Sequence, residues 1–205
     1  MNPYKRYILP HLIHFVCKQS PSAYQRRLIV PEAAGNVLEI GVGTGLNLPF
    51  YNKSQIKHLT AIDPSLETWQ KGRIKPETLD FEMDFIQAGA EDIPADNNSF
   101  DSIVMTYTLC SITAYPEALT EMRRVLKPGG KLLFCEHGKA PDKAVQWFQN
   151  SINPVWRFFG GGCNLNRDIP MIFREHGFSL PDLEQNYIPG FKFASFNYWG
   201  RAELR

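Results

Sequence analysis

The chain has 205 residues, of which 43% are hydrophobic and 13% aromatic, enough for one globular domain with a substantial core. Its 22 lysines and arginines nearly balance its 21 aspartates and glutamates, so charge gives no reason to expect nucleic acid as a partner. No signal peptide and no transmembrane segment are predicted. We expect a cytoplasmic protein. Four widely spaced cysteines predict neither a disulfide framework nor a metal site: Cys17, Cys110, Cys135 and Cys163.

In chain order, the sequence predicts an N-terminal helical segment over residues 1–36, followed by strand-like runs that alternate with helical patterns. The runs are NVLEI at 36–40, HLTAID at 58–63, FEMDFIQ at 81–87, FDSIVMTY at 100–107 and KLLFCEH at 131–137. Residues 116–126 carry apolar side chains at helical spacing, and the KPGG that follows ends this helix. Such alternation predicts a parallel sheet with helices on both faces.

Beyond residue 137 the pattern changes. Residues 138–180 form an aromatic segment, and residues 181–205 contain strand-like pieces near 183–188 and 195–203. No repeat and no boundary between domains is evident. Residues 1–205 are therefore predicted to form a single domain whose ligand-binding core is residues 37–137.

The stretch VLEIGVGTGLN ends an apolar run and then places Gly41, Gly43 and Gly45 in a short loop. In open α/β sheets, ligands bind beyond the carboxyl ends of the central strands, and glycines let ligand atoms approach the backbone. A dinucleotide fingerprint would read G-x-G-x-x-G, but here Leu46 stands where its last glycine belongs. The loop is G-x-G-x-G instead, which argues against NAD.

Two acidic residues narrow the choice of ligand. Asp63 ends the second predicted strand, where a carboxylate can accept hydrogen bonds from both hydroxyls of a ribose. Glu39 places a negative charge beside the loop, which favours a ligand that carries an ammonium and a sulfonium over a pyrophosphate. Together they predict S-adenosylmethionine, with S-adenosylhomocysteine as product. Taken singly, each feature also has a purely structural interpretation: Glu39 as an ordinary strand-end acid, Asp63 as a helix N-cap and the glycines as a tight turn.

Several motifs resemble those of class I S-adenosylmethionine-dependent methyltransferases, including the quinone-biosynthesis branch: LEIGVGTG, AIDPS, GAEDIP and EMRRVLKPGGKLL, within residues 37–137. The resemblance implies a Rossmann-like, doubly wound α/β sheet of seven strands, mostly parallel with an antiparallel last strand. A narrower resemblance, to the methyltransferase-like thiol S-methyltransferases, rests on TLCSI at 108–112, FCEH at 134–137, Trp147, Pro154, Trp156 and GCNLNR at 162–167. It implies methylation of an alkyl thiol or a related small molecule.

The remaining cofactor contacts are predicted at the ends of the third and fourth strands. The backbone of Ala90 and Glu91 is expected at the adenine edge. Gly89 stands where many such enzymes have an adenine-contacting aspartate, so that contact is absent or moved to Asp92. The predicted cofactor-binding residues are Glu39, Gly41, Gly43, Gly45, Asp63, Pro64, Ser65, Ala90, Glu91, Thr106 and Leu109.

Methyl transfer from a sulfonium is an in-line displacement, so much of the catalysis can come from holding the acceptor opposite the leaving sulfur. His137 follows the fifth strand and is predicted to deprotonate a thiol or hydroxyl acceptor, with a structural strand-end histidine as the alternative. Asp168 is predicted to cap a helix, and Cys110 and Cys163 to pack, since no covalent enzyme intermediate is needed. The predicted substrate residues are Trp147, Trp156, Asn164 and Arg167.

An aromatic cap is predicted over the acceptor, where it would exclude water. Each of its members, taken alone, fits the hydrophobic core as well. They are Trp147, Phe148, Trp156, Phe158, Phe159 and Phe173.

The expected partner is a small apolar acceptor, with no nucleic acid, and the oligomeric state is not specified by the sequence. Three alternatives remain open: a quinone methyltransferase, a phospholipid methyltransferase at a membrane surface, and a cofactor-binding regulatory module without turnover. Basic residues around an apolar N-terminal segment indicate either peripheral membrane contact or a solvated face. They are Lys5, Arg6, Lys18, Arg26 and Arg27.

Overall fold

The computed structural model describes residues 19–72, 74 and 76–205. The predicted N-terminal segment is therefore seen only from residue 19, where helix α1 spans Ser20–Ile29 and a 3₁₀ turn spans Val30–Glu32. Four residues of the sequence analysis lie outside the described residues: Lys5, Arg6, Cys17 and Lys18.

One of the basic residues of α1 is not on a solvated face. Arg26 is 3% exposed, and its guanidinium carbon lies 4.9 Å from the centre of the Tyr107 ring. Arg27 beside it is exposed. The prediction that both contribute to a basic surface is therefore wrong for Arg26, because its charge is used in a buried contact with an aromatic ring.

The strands of the described residues form one sheet. Its strands are β1 (Gly35–Ile40), β2 (Ile56–Ile62), β3 (Met83–Ile86), β4 (Phe100–Thr106), β5 (Leu126–His137), β6 (Phe178–Ser179), β7 (Glu184–Tyr187) and β8 (Phe196–Leu204). The spatial order is β3-β2-β1-β4-β5-β8, and β6 and β7 lie along the outer edge of β8. Strands β1 to β5 pair in parallel, whereas β8 is antiparallel to β5.

The doubly wound, mostly parallel sheet with an antiparallel last strand is confirmed. The predicted number of seven strands is one too low, because the seventh position of the sheet is shared by two short strands. β6 pairs with one end of β8 at Leu204 and Glu203, and β7 pairs with the other end over residues 196–199. β6 and β7 therefore lie along the same edge of β8, and the residues between them do not pair with it.

Neighbouring residues of the central strands point into two different cores. Val37, Val104 and Leu133 are buried in one cluster. The residues next to them in sequence, Leu38, Ile103 and Leu132, are buried in the other cluster. Because side chains alternate across a strand, this division shows that both faces of the sheet are buried, as the continuous apolar runs of the sequence predict.

Five helices are described: α1, α2 (Leu66–Gln70), α3 (Tyr115–Val125), α4 (Lys143–Phe159) and α5 (Ile169–Glu175). The predicted helix over 116–126 corresponds to α3, which buries Ala118, Leu119, Met122 and Val125. Asp168 caps α5 as predicted, because its side chain accepts a hydrogen bond from the Met171 amide. Pro154 lies inside α4 without ending it.

The register of the sheet brings the ends of the central strands to one edge. Ile40 of β1 is paired with Ile62 of β2 and with Met105 of β4, which is in turn paired with Phe134 of β5. Since all these strands run in the same direction, the residues that follow them meet at the same edge. This carboxyl edge is where ligands bind in open α/β sheets.

Candidate active site

The three loop glycines after β1 all have positive φ angles, of 71° at Gly41, 55° at Gly43 and 78° at Gly45. A methyl group at Gly41 would overlap the side chain of Thr108, and one at Gly45 would overlap Leu48. At Gly43, however, the nearest atom would be the Gly41 carbonyl oxygen at 3.9 Å. Gly43 is therefore the glycine whose bare side faces open space, as a cofactor cradle requires.

Asp63 ties this loop to the end of β2. Its Oδ2 accepts a hydrogen bond from the Gly43 amide at 2.9 Å, and its Oδ1 accepts one from the Ser65 amide at 2.8 Å. The N-cap of α2 is Ser65, whose hydroxyl accepts from the Thr68 amide, so the alternative of Asp63 as a helix cap is wrong. Burial raises the pKa of Asp63, against the effect of these two amide donors.

Glu39 lies in a buried polar chain. Its Oε1 accepts from Asn47 Nδ2 at 3.0 Å and its Oε2 accepts from the Tyr51 hydroxyl at 2.8 Å. Asn47 Oδ1 in turn accepts from the Thr106 hydroxyl at 3.1 Å, which links β1 to β4. Burial raises the pKa of Glu39 to about 7. Both carboxylate oxygens accept hydrogen bonds from the protein. Because one donor, Asn47, directly follows the glycine loop, Glu39 stabilises the conformation of that loop.

Sequence reasoning missed Asn47 and Tyr51. They stand 8 and 12 residues beyond Glu39, in a stretch whose polar residues look like those of any surface loop. The only signal was indirect: an acid at the end of a buried strand needs hydrogen-bond donors.

At the end of β3, the carboxylate of Glu91 occupies the space that a side chain at position 89 would fill. A methyl group at Gly89 would lie 2.5 Å from Glu91 Oε1. Ala90 between them is buried. The carboxylate that lies beside Gly89 is therefore that of Glu91, whereas the sequence predicted Asp92 as the possible substitute.

The loop after β4 is held from two sides. Glu136 at the end of β5 is fully buried, and its Oε1 accepts from the amides of Thr108 at 2.7 Å and Leu109 at 3.0 Å. Arg167 donates to the Leu109 carbonyl and, at 2.7 Å, to the Ile112 carbonyl. Burial raises the pKa of Glu136 to about 7. Sequence reasoning missed Glu136, and it assigned Arg167 to the substrate, whereas its hydrogen bonds are to the protein backbone.

His137 and two cysteines form a cluster beside this loop. His137 Nε2 lies 3.1 Å from Cys163 Sγ, and the ligand atoms of Cys110, His137 and Cys163 all lie within 4.8 Å of one another. Trp156 Nε1 donates to Cys163 Sγ at 3.4 Å. The cysteines, which were predicted only to pack, are therefore brought together with the predicted base.

The charges within the cluster act on one another. Hydrogen bonding from Cys110 and the charge of His137 hold the pKa of Cys163 well below its usual value, although burial opposes this. Burial alone would lower the pKa of His137, but its contact with Cys163 raises it. Each group therefore affects the protonation of the other, and the Cys163 sulfur lies within reach of the imidazole that is predicted to act as base.

The glycines before Cys163 explain how a residue after α4 reaches the end of β5. Gly161 and Gly162 have φ angles of 66° and 99°, which turn the chain back from the helix. Asn164 then donates from its amide and from Nδ2 to the Cys110 carbonyl, both at 2.9 Å. Asn164, like Arg167, was predicted to contact substrate, but here it joins two segments of the cluster.

The predicted aromatic cap divides into buried and exposed residues. Phe173 is fully buried in the core, whereas Trp147 is 71% exposed and Phe158 is 66% exposed. Trp156 is half-buried and contacts Cys163. The predicted cap therefore does not enclose a pocket, because most of its aromatic rings lie on the solvent-exposed face of α4.

The sheet order and the strand-end loop define a class I S-adenosylmethionine-dependent methyltransferase fold. Residues 38–134 match the family model described as "Methyltransferase domain". A solved S-adenosylmethionine-dependent methyltransferase from Aquifex aeolicus has the same fold, with a TM-score of 0.64 at 18% identity over 100% of both chains. The chain belongs to the S-adenosylmethionine-dependent methyltransferase family, as this match and its 33–35% identity to curated thiol S-methyltransferases show.

Curated relatives include enzymes with different acceptors. Thiol S-methyltransferase TMT1A of Homo sapiens is 33% identical over 164 residues, which are 78% of this chain and 66% of the relative. A phosphatidylethanolamine N-methyltransferase of Cereibacter sphaeroides is 35% identical over 128 residues, which are 58% of this chain and 62% of the relative. The matched region thus spans slightly less than two thirds of either relative. Among the residues that the structure describes, no helix has the length and apolar character to cross a membrane.

Proposed function

We propose that this protein transfers the methyl group of S-adenosylmethionine to small apolar thiols. The observation that carries the proposal is the position of two features at one edge of the sheet. The open side of Gly43, fixed by Asp63, follows β1 and β2, and the His137–Cys163 pair adjoins the end of β5. A cofactor and an acceptor bound there would meet between the two.

The cofactor is assigned to the glycine loop and the neighbouring strand ends. Asp63 uses one lone pair of each oxygen for backbone amides and keeps others for the ribose hydroxyls. The Glu91 carboxylate, placed where Gly89 has no side chain, is assigned to the adenine edge in place of Asp92. When bound, S-adenosylmethionine supplies an electrophilic methyl group on a sulfonium. Pro64, Ser65, Thr106 and Leu109 complete the predicted contacts.

The thiol acceptor is assigned to the space beside His137. A relative of this chain is named for thiol S-methylation. His137 accepts the thiol proton and the protein holds the resulting thiolate near the cofactor, so that alignment supplies the rest of the catalysis. Trp156, which adjoins Cys163, provides an apolar wall for the acceptor, and Trp147 lies further out on the same helix.

The direct test is the rate of methyl transfer to thiols of graded acidity, in the wild type and in His137→Gln. A positioned base contributes roughly 10²–10⁴-fold, so turnover of a poorly ionised thiol should fall by that factor while cofactor affinity is kept. A thiol that is already ionised at the assay pH should lose much less rate. A small loss of equal size for every thiol would contradict the role of His137 as base.

The alternatives give different results in the same assay. If the protein methylates a quinone or a phospholipid and leaves thiols unreacted, that compound and not a thiol is the acceptor. Binding of S-adenosylmethionine with no acceptor methylated would indicate a regulatory module.

Peripheral membrane contact is a second proposal, which the exposed face of α4 favours. Trp147, Phe148, Val155, Phe158 and Phe159 lie within one face of this helix and are 42–71% exposed. Phe191, 79% exposed, stacks on Phe193, which contacts Phe148. Such a patch, called here the aromatic face, is larger than the scattered apolar residues of an ordinary surface.

Sedimentation with anionic vesicles tests this contact. Replacing Phe158 and Phe159 by serine should reduce the bound fraction several-fold, because two rings leave the interface. Met171→Ser is the matched control, since it removes an apolar residue that is 52% exposed on α5, outside the aromatic face. Equal binding by all three proteins would show that the aromatic face does not contact lipid.

A further inference from the structure

Three donor atoms of kinds that bind transition metals meet at the carboxyl edge of the sheet. Cys110 comes from the loop after β4, His137 from the end of β5, and Cys163 from the glycine turn after α4. Their sulfur and nitrogen atoms all lie within 4.8 Å of one another, although the residues are 26 to 53 positions apart in sequence. The sequence predicts no metal site here, because no two of the cysteines have the short spacing of a metal-binding motif.

We propose that Cys110, His137 and Cys163 bind a divalent metal ion of the zinc type, and that its open fourth position takes the sulfur of the acceptor thiol. The proposal rests on the proposed thiol methylation and specifies how the acceptor is held.

The donor set fits this kind of ion. Zinc is bound by cysteine sulfur at about 2.3 Å and by histidine nitrogen at about 2.0–2.1 Å, usually with tetrahedral geometry. Ligand atoms in such a site lie roughly 3.6–3.8 Å apart, by that geometry. The observed separations, from 3.1 Å for His137 Nε2 to Cys163 Sγ up to the limit of 4.8 Å, lie on both sides of this value. Small side-chain rotations would therefore suffice.

The three segments are fixed to one another by hydrogen bonds that do not use the donor atoms. Asn164 donates twice to the Cys110 carbonyl and so joins the Cys110 and Cys163 segments. Glu136 holds the amides of Thr108 and Leu109, which joins the Cys110 loop to the strand that carries His137. A site held in this way is preorganised, because binding needs no movement of the backbone.

The surroundings favour a cation at this place. Trp156 Nε1–H points at Cys163 Sγ, as expected for a sulfur that carries negative charge. Glu136 Oε2 is buried and accepts no hydrogen bond from the described residues. A divalent cation would neutralise the negative charge of the two thiolates.

Three protein ligands with one open position are typical of a catalytic rather than a structural zinc site. An acceptor thiol that enters this position forms a sulfur–metal bond and loses its S–H proton to solvent, because a metal-bound thiol is deprotonated outright. His137 is then a metal ligand, and the metal takes over the activation of the thiol that the imidazole would otherwise perform.

Cobalt(II) titration of the full chain, freed of metal and kept reduced, tests the site. We expect one ion per chain, a thiolate-to-cobalt charge-transfer band, and d–d bands of the intensity that tetrahedral coordination gives. Zinc should displace the cobalt. Cys110→Ser, Cys163→Ser and His137→Gln should each weaken binding by roughly 10²-fold or more, since even outer-shell changes cost 10–100-fold.

Cys135→Ala is the matched control. Cys135 is a buried cysteine two residues before His137 in the same strand, and it does not belong to the cluster. This variant should keep the cobalt spectrum. Melting curves show whether each variant is folded, and any one of the three ligand variants that remains folded is sufficient for the comparison.

Addition of an alkyl thiol to the cobalt protein should shift the d–d bands and add a second thiolate band. No tetrahedral cobalt spectrum, or an unchanged spectrum in all three ligand variants, would overturn the metal site. A bound cobalt that does not respond to thiols would overturn the assignment of the fourth position. Methyl transfer to thiols by protein proved free of metal would leave the proposed function intact while refuting this inference.

Discussion

Asp63 acts on two parts of the site at once. It fixes the glycine loop through the Gly43 amide and the start of α2 through the Ser65 amide, and it is assigned to the ribose. We predict that Asp63→Ala weakens S-adenosylmethionine binding by about 1–3 kcal/mol, because the hydroxyls lose a charged acceptor. Calorimetry measures the affinity. Asp80→Ala, which removes an exposed carboxylate paired with Lys53, is the control and should bind normally. Unchanged affinity in a folded Asp63→Ala protein would contradict the ribose assignment.

Glu39 makes stability depend on pH. Its pKa is about 7 in the folded protein and near 4.5 when unfolded, so the folded state holds the proton more strongly between these values. Stability should therefore fall as pH rises from about 4.5 to 7, by up to about 3 kcal/mol from this group. In Glu39→Gln this contribution is absent.

Urea unfolding of both proteins between pH 5 and 8 measures the effect. The wild type should lose roughly 1–3 kcal/mol relative to Glu39→Gln over this interval. Glu136, whose pKa is also raised to about 7, is present in both proteins and cancels in the comparison. A difference in unfolding free energy that does not change with pH would show that Glu39 is ionised in the fold at every pH tested.

At the scale of elements, the glycine loop after β1 combines an unusual backbone with an open side. We predict that Gly43→Val abolishes cofactor binding, because the branched side chain enters the space assigned to the ligand. The positive φ will also strain the fold, by about 1–3 kcal/mol. Gly129→Val is the matched control, since Gly129 has a φ of 76° and no atom within 4 Å of a methyl group placed there. If Gly43→Val remained folded and bound the cofactor as Gly129→Val does, the loop would not be the cradle.

The elements differed in how far the sequence predicted them. Strands β1, β2, β4 and β5 could be predicted because each is an apolar run buried on both faces, and α3 because its stripe repeats at helical spacing. The pieces near 183–188 and 195–203 correspond to β7 and β8, whereas β6, which divides the seventh sheet position, could not be predicted because it has only two residues. Helix α4 was hidden by Pro154, a residue that usually ends helices.

Within the site, the features written in consecutive residues were predictable and those assembled from distant residues were not. The glycine loop and Asp63 are recognisable because spacing along the chain fixes their chemistry. The Glu39–Asn47–Tyr51 chain and the cluster of Cys110, His137 and Cys163 depend on which loops meet at the edge of the sheet. Pairing of distant segments is set by the fold, so local sequence carries little signal for it.

For the molecule as a whole, the two functional features divide between the two halves of the sheet. The cofactor is assigned to the loops after β1, β2 and β3, and the acceptor to the loops after β4 and β5 together with the turn after α4. The first half of the sheet is common to class I methyltransferases that act on unrelated acceptors. We therefore expect the choice of acceptor to depend on the second half, where Cys110, His137 and Cys163 meet.

Transfer of a methyl group from S-adenosylmethionine to a thiol at this edge of the sheet is the reaction that we propose. It is tested most directly by incubating the protein with methyl-labelled S-adenosylmethionine and a panel of alkyl thiols, quinones and phospholipids, and identifying the labelled product by mass. We expect a labelled thioether, formed in proportion to S-adenosylhomocysteine, and no product with Gly43→Val. Label found only in a quinone or a phospholipid, or thioether formed equally well by Gly43→Val, would contradict it.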